Sequence, residues 1–265
     1  MSQLKSDLAI LKSLPAGGVC HAKSARRDRL KRLMQELGEP FRVHRKQWEF
    51  AIVVEALEAA GLIGSGKRGL GFGVGVEPLV AYLASRGCET VATDLEHGWY
   101  ENSFARLNQR GLCPPDQFAK LVSMRHVDMN WIPKDLTDFD FCWSCCSMDH
   151  LGSIRLGKRF VYHSLRCLKP GGVAVHSGEF NLQSHWHTID YDGTVLWTRY
   201  DVDETLAYLH ERGHESAFDW TTGDEPEDQL ENQGNGVHIR LMIGEFLATS
   251  FGLVIRKGDQ SHGTD

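Results

Sequence analysis

Glycine occupies every other position of the segment GLGFGVG, residues 69–75. An apolar run, RGLGF at 68–72, leads into it, and a helical pattern, PLVAYLASRG at 78–87, follows. Glycine is required where the backbone adopts unusual φ/ψ angles or where a ligand approaches without a Cβ in the way. Four alternating glycines exceed what a tight turn between a strand and a helix needs, so the segment predicts a ligand-binding loop.

Two widespread glycine-rich loops do not fit this segment. A dinucleotide fingerprint needs G-x-G-x-x-G, but its sixth position is Val74, Val76 or Pro78 in the three available registers. A P-loop ends in Gly-Lys-Ser/Thr, which does not follow here. The remaining pattern, G-x-G-x-G at 71–75, argues against a nicotinamide-dependent oxidoreductase.

Short apolar runs alternate with helical patterns through the middle of the chain. This alternation predicts βαβ units and a parallel sheet. After a last helix at 203–213, ESAFDW and HIRLMIGEFLATSFGLVIRK predict two more strands, the second of which Gly244 divides or bulges. The strand-like runs of the middle section are 68–72, 90–94, 121–128, 139–146 and 172–180, and its helical patterns are 78–87, 102–111 and 153–168.

We therefore predict a single α/β domain over residues 1–265. Its core, 63–265, would hold a mostly parallel seven-stranded sheet with helices on both faces and a C-terminal antiparallel hairpin. Residues 1–62 carry apolar residues at three- and four-residue spacings, which predicts an N-terminal helical cap against that sheet.

Composition excludes several classes of protein. Of 265 residues, 42% are hydrophobic and 24% are charged, as in a folded globular chain. The net charge of −6 argues against a protein that coats DNA, and the longest apolar runs are far shorter than the ~20 residues of a membrane helix. The seven cysteines follow no disulfide framework, and the N-terminus is a poor secretory signal, so we expect reduced thiols and a cytoplasmic protein.

Further motifs follow the glycine segment at regular intervals. Asp94 ends the second strand in TVATDLE, Asp128 ends the third in RHVDMN, and FDFCWSCCSMDHLG and LKPGG come next. In this order and spacing, the motifs of residues 68–180 resemble the class I S-adenosylmethionine-dependent methyltransferases. The resemblance implies a Rossmann-like fold and S-adenosyl-L-methionine as the cofactor. A weaker likeness is to bacterial small-molecule and glycan methyltransferases.

The resemblance implies contacts along the whole cofactor. The glycines would approach its amino-acid end and ribose, and the acid after the second strand would accept its ribose hydroxyls. The acid after the third strand would bind the adenine amino group, with the next residue against the ring, and the fourth strand would end beside the cofactor. The implied contact residues are Gly71, Gly73, Gly75, Asp94, Asp128, Met129, Ser144 and Cys145.

One position departs from the family pattern. The family has an acidic residue at the start of the glycine motif, where this chain has Gly69. Glu77, in GVEP, is a candidate substitute for contact with the cofactor amino group. The alternative is a carboxylate in the first helical turn, where the helix dipole favours negative charge.

Methyl transfer to a hydroxyl or ammonium group requires a base near the transferable methyl group. His150 is the first candidate because it follows the fourth strand and histidine titrates near neutrality. Asp149 is a candidate to orient it, or alternatively a helix N-cap. Glu179, at the end of the fifth strand, is the second candidate base. The alternative for His150 is a histidine bonded to the backbone at a helix start.

The segment HSGEFNLQSHWHTIDYD, residues 176–192, allows two interpretations. His185 and His187, with Glu179 or Asp190, are candidate ligands of a divalent metal. The favoured alternative is a loop that hydrogen-bonds substrate or has no catalytic role. Aromatic residues in and after the loop are candidates for a substrate cavity or for the core: Trp186, Tyr191 and Trp197.

Three cysteines, Cys142, Cys145 and Cys146, fall on or just after the fourth strand. Strand alternation places Cys142 and Cys146 on one face and Cys145 on the other. Because no second cysteine pair follows at zinc spacing, we expect free thiols.

The predicted function is S-adenosylmethionine-dependent methylation of a small-molecule or sugar acceptor, with oxygen as the favoured acceptor atom. A nucleic-acid acceptor is disfavoured because SCCSMDH replaces the N-P-P-Y type motif that grips a flipped base. The main alternative is a cofactor-binding protein with altered catalysis.

Overall fold

A computed structural model describes residues 14–95, 103–191 and 193–259. Residues 1–13 of the predicted cap and Asn102 of a predicted helix lie outside these ranges. The α-helices are α1 (Ala22–Ala25), α2 (Asp28–Glu36), α3 (Arg45–Ala59), α4 (Leu79–Ser85), α5 (Ser103–Arg106), α6 (Pro115–Leu121), α7 (Ile154–Ser164) and α8 (Arg199–Glu211).

Strands from all parts of the chain alternate with these helices. The long strands of the middle section begin and end within a few residues of the predicted runs. The strands are β1 (Gly17–Val19), β2 (Val43–His44), β3 (Arg68–Phe72), β4 (Glu89–Asp94), β5 (Val122–His126), β6 (Phe139–Cys145), β7 (Leu168–Asn181), β8 (Glu215–Ser216), β9 (Phe218–Asp219), β10 (Val237–His238), β11 (Leu241–Ile243) and β12 (Phe246–Arg256).

The central sheet runs in the order β5-β4-β3-β6-β7-β12. The first five of these strands are parallel, and β12 is antiparallel to β7. The predicted α/β fold with a mostly parallel sheet is confirmed. The chain moves outward from β3 to β4 and β5, then returns to place β6 on the other side of β3. This reversal opens a crevice at the carboxyl ends of β3 and β6, where open α/β sheets bind ligands.

The predicted number of seven strands was wrong, because the sheet formed by the described residues has ten. The additional strands are short and lie beyond or beside β12. One of them, β1, pairs with Phe251 and Gly252 of β12, so the N-terminal segment is not wholly helical. An added Cβ at Gly17 would overlap the carbonyl oxygen of Gly252, and glycine therefore lets these two strands approach.

The C-terminal hairpin is present and consists of β11 and β12. Gly244 divides the long predicted strand, as expected, and its φ of +58° belongs to the left-handed region that favours glycine. The β12 strand then pairs with β7 from Asn181 to Val173. The hairpin thus extends the parallel sheet with antiparallel strands.

Helices cover both faces of the sheet. One core cluster joins α2, α3 and α4 to one face through residues such as Leu33, Ile52 and Leu83. A second cluster joins α7 and α8 to the other face through residues such as Phe160 and Leu209. Because α3 lies between the sheet and α2, most of its side chains are buried. In the described ranges, every helix is too short or too polar to cross a membrane.

We expect Gly69→Ala to lower the free energy of unfolding by about 1–3 kcal/mol, the usual cost of overpacking a core. A Cβ at residue 69 of β3 would overlap the ring of Phe141 in β6. Chemical denaturation measures the change, with Gly193→Ala as the control because nothing lies within 4 Å of its added Cβ. Equal stability of the two variants would contradict this packing explanation.

Candidate active site

A cavity of about 530 Å³ opens at the carboxyl ends of β3, β4 and β6. Seven of the residues that sequence motifs implicate line it: Gly73, Gly75, Asp94, Asp128, Met129, Cys145 and His150. The opposite wall comes from α3 and the segment before it, through residues that include Arg42, His44, Lys46, Gln47 and Phe50. The crevice in the sheet is therefore closed on one side by the N-terminal helices.

The glycine loop turns through conformations that a side chain would strain. Gly73 and Gly75 have φ angles of +58° and +52°. A Cβ at Gly73 would lie 2.6 Å from Cβ of Ser147 and 3.3 Å from Sδ of Met129. Gly71 lies deeper and does not line the cavity, and an added Cβ there would lie 2.6 Å from the ring of Trp143. The loop thus presents bare backbone to the cavity.

The Asp94 carboxylate fixes the position of this loop. Its Oδ2 accepts a 2.7 Å hydrogen bond from the Gly75 N–H, and its Oδ1 accepts a 2.8 Å bond from the Leu95 N–H. A carboxylate can accept about four hydrogen bonds, so Asp94 retains acceptor capacity toward the cavity that it lines. Loop and carboxylate form one unit.

Asp128 and Met129 follow β5 on the same side of the cavity. Asp128 is exposed and accepts a 2.8 Å hydrogen bond from the Asn130 N–H. Met129 is buried, with 7% of its surface accessible. The exposed acceptor can hydrogen-bond the edge of a planar heterocycle, and the buried apolar side chain beside it can contact the face of the ring.

Glu77 also lines the cavity, although α4 begins only at Leu79. The first-turn interpretation of Glu77 was therefore wrong. Its Oε1 accepts a 2.5 Å hydrogen bond from the indole N–H of Trp143, and burial raises its pKa to about 8. This carboxyl group therefore favours its neutral form up to about that pH.

His150 lies in a 3₁₀ turn, Met148–His150, after β6. Its Nδ1 is 2.5 Å from the carbonyl oxygen of Gly193, and its Nε2 is 4.0 Å from Oδ2 of Asp149. When Nδ1 donates to that carbonyl, the lone pair of the neutral ring is on Nε2. Asp149 does not cap the following helix, because Ser153 is the N-cap of α7.

Three implicated residues do not line the cavity, namely Gly71, Ser144 and Glu179. Ser144 is fully buried, and its Oγ is 2.9 Å from Nδ1 of His176. Ser164 approaches the other ring nitrogen of His176 at the same distance, and burial lowers the pKa of that histidine to about 3. Ser144 therefore belongs to a neutral hydrogen-bonded group inside the sheet.

Glu179, the second candidate base, belongs to a buried ionic cluster. Its Oε1 accepts a 2.6 Å hydrogen bond from Arg45 of α3. Glu49, four residues further along α3, is fully buried and accepts bonds from Ser177 at 3.0 Å and Ser250 at 2.6 Å. Sequence reasoning missed Arg45 and Glu49, because only the tertiary fold brings α3 to the ends of β7 and β12.

Cys146 departs from strand alternation. Its φ of +50° turns the backbone sharply after β6, so its thiol reaches the α3 side, 3.2 Å from Oε1 of Glu49. The prediction that it shares a face with Cys142 was therefore wrong. The expectation of free thiols is confirmed, since all seven cysteines of the chain are unpaired.

The histidine loop, which is the part of segment 176–192 that carries His185 and His187, does not reach the cavity. His185 and His187 are exposed, and Oδ1 of Asp190 accepts a hydrogen bond from the Ile154 N–H. Trp186 and Tyr191 are each 72% exposed, whereas Trp197 is fully buried. The predicted metal ligands of this loop are thus separate from Glu179.

A comparison with known protein families matches the part of the chain that forms the parallel strands. A family model described as a methyltransferase domain matches residues 70–176, from β3 into β7. This part of the chain is therefore similar to a methyltransferase domain. No curated protein sequence matches the chain significantly.

Solved structures share the fold of this chain at low identity. The [4+2]-cyclase SpnF is 15% identical with a TM-score of 0.55, covering 91% of this chain and 99% of its own. The methyltransferase domain of bacterial CtHen1-CN is 13% identical with a TM-score of 0.53, covering 80% and 100%. An S-adenosylmethionine-dependent methyltransferase from Mesorhizobium loti is 15% identical with a TM-score of 0.50, covering 76% and 96%.

The raised pKa of Glu77 predicts a pH-dependent loss of stability. The folded chain holds this proton up to about pH 8, whereas the unfolded chain releases it near its ordinary value of 4.5. The contribution of Glu77 to stability is therefore present below pH 4.5 and is lost as the pH rises to about 8. We expect wild type to lose stability relative to Glu77→Gln across this range in urea unfolding.

Glu211→Gln is the control for this experiment, because Glu211 is a largely exposed carboxylate of α8. Its stability should follow that of wild type at every pH. Parallel profiles for wild type and Glu77→Gln would contradict the assignment of a neutral Glu77.

Proposed function

We propose that the chain transfers a methyl group from S-adenosyl-L-methionine to an oxygen of a small-molecule or sugar acceptor. The observation that carries this proposal is the shared cavity, where the glycine loop, Asp94, Asp128, Met129 and His150 all meet. The cavity must hold both the cofactor and the acceptor. Since its 530 Å³ is in the ordinary range of small-molecule sites, the acceptor group that enters is small.

In this proposal the cofactor lies along the glycine loop. Gly73 and Gly75 let its amino-acid end and ribose approach the backbone, while Asp94 accepts the ribose hydroxyls with its remaining lone pairs. Asp128 accepts the adenine amino group, and Met129 contacts the ring. The exposed carboxylate and buried thioether after β5 have the polarity that these two contacts require.

We assign Glu77 to the cofactor amino group, in place of the acid that Gly69 replaces. A cation beside Glu77 would compensate its burial and release its proton. The indole of Trp143 already orients the carboxyl group. Cofactor affinity should therefore rise with pH as Glu77 ionises.

His150 is the proposed base. The acceptor oxygen attacks the sulfonium methyl carbon as the sulfur–carbon bond breaks, and the hydroxyl proton passes to Nε2 of His150. The Gly193 carbonyl holds Nδ1 and so orients the ring. The products are the methylated acceptor, S-adenosylhomocysteine and a proton that leaves the imidazole.

We place this reaction in the cytoplasm. The support is that all seven cysteines, five of which are buried in the core, are unpaired. Thiols remain reduced in that compartment.

Asp94→Ala should weaken S-adenosyl-L-methionine binding at least tenfold, or about 1.4 kcal/mol. The variant loses the carboxylate that would accept the ribose hydroxyls, and it loses the hydrogen bond that holds Gly75. Isothermal titration calorimetry measures the affinity, and thermal unfolding checks the fold. Asp135→Ala removes an exposed carboxylate paired with Arg125 and should bind like wild type. Unchanged affinity in Asp94→Ala would refute the ribose assignment.

His150→Ala should abolish the part of the pH–rate profile in which activity rises as the base loses its proton. Cofactor affinity should remain close to wild type. His210→Ala, an exposed histidine of α8, is the control and should keep the profile. If His150→Ala retains the wild-type acidic limb, His150 is not the base. Cofactor binding without turnover of any acceptor would favour a protein with altered catalysis.

A further inference from the structure

Three potential metal ligands converge next to the cavity, away from the histidine loop. Sγ of Cys146 and one carboxylate oxygen each of Asp149 and Glu179 all lie within 4.8 Å of one another. In the part of the chain that the structure describes, no other three His, Cys, Asp or Glu residues are spaced in this way. The group lies where β6 and β7 end.

The carboxylates of this group have buried oxygens without hydrogen-bond partners. These are both Oδ atoms of Asp149 and Oε2 of Glu179. The Asp149 side chain is 0% exposed and that of Glu179 is 7% exposed. Arg45 binds Oε1 of Glu179 and leaves Oε2 available. Since a buried carboxylate oxygen without a partner is costly, these atoms point to a ligand.

The surrounding charges favour a divalent cation. If all are ionised, three carboxylates outnumber the two cationic side chains by one negative charge, and a thiolate at Cys146 adds a second. One divalent ion would neutralise this excess, which matters because charge in a buried site is expensive. The five side chains that surround the thiol are Arg45, Lys46, Glu49, Asp149 and Glu179.

We propose that Cys146, Asp149 and Glu179 bind one divalent transition-metal ion, for which Zn²⁺ is the best match. Zinc accepts thiolate and carboxylate ligands at about 2.0–2.3 Å and leaves a fourth position open in many three-ligand sites. Tetrahedral ligand atoms lie about 3.3–3.8 Å apart at those bond lengths, so the side chains close inward by about 1 Å. On binding, the Cys146 S–H bond breaks, its proton passes to water, and a sulfur–metal bond forms.

Titration of the chelator-treated full-length protein tests this site. Calorimetry with Zn²⁺ should give one ion per chain. Titration with Co²⁺, a spectroscopic substitute for zinc, should produce the near-ultraviolet absorption of thiolate-to-cobalt charge transfer. Absence of stoichiometric binding would overturn the proposal and leave a proton as the balancing cation. Neither measurement depends on methyl transfer, so failure here is distinct from failure of the proposed function.

Two variants and one control identify the ligands. Cys146→Ser should abolish the charge-transfer absorption, and both Cys146→Ser and Asp149→Asn should weaken Zn²⁺ binding at least tenfold. Cys145→Ser removes the adjacent thiol, which also lines the cavity, and should keep both signals. Thermal unfolding checks that each variant is folded, and Cys146→Ser differs by one atom. Wild-type binding in both Cys146→Ser and Asp149→Asn would overturn the assignment.

Discussion

The buried carboxylate of Glu49 makes the interactions on which the packing of α3 against the sheet depends. Burial alone would raise its pKa, but Lys46, Arg45 and the Ser250 hydroxyl more than offset this and lower it. Its hydrogen bonds from Ser177 and Ser250 tie α3 to β7 and β12. Breaking one partner of such a buried cluster typically costs about 3–5 kcal/mol. The hydrogen bonds of Glu49 therefore fix the position of α3 against β7 and β12.

This anchoring determines the shape of the cavity. One wall is the glycine loop with Asp94, which are fixed to each other by the Gly75 hydrogen bond. The opposite wall is the beginning of α3, whose Lys46 and Phe50 line the same space. The two walls come from separate stretches of sequence and from different layers of the fold. The cavity thus lies between a glycine-rich βα turn and a helix of the N-terminal segment.

The sequence predicted the features that depend on local constraints. The bounds of β3 and the loop with Gly73 and Gly75 follow from apolar runs and backbone freedom, and the end of β4 at Asp94 follows from the same pattern. Features that depend on distant partners were not predictable in this way. The strand β1 exists because β12, more than 200 residues away, offers it an edge, and the left-handed backbone of Cys146 carries no signal in its residue type.

The strand pairing around β12 also bears on solubility. A long antiparallel strand at the margin of a sheet would present a row of unpaired backbone groups to other molecules, and such edges promote aggregation. Here the side of β12 away from β7 is divided among the short strands β1, β8 and β11. The margin itself is β9, of only two residues, Phe218 and Asp219. The fragmented edge of the sheet is thus a built-in protection against intermolecular strand pairing.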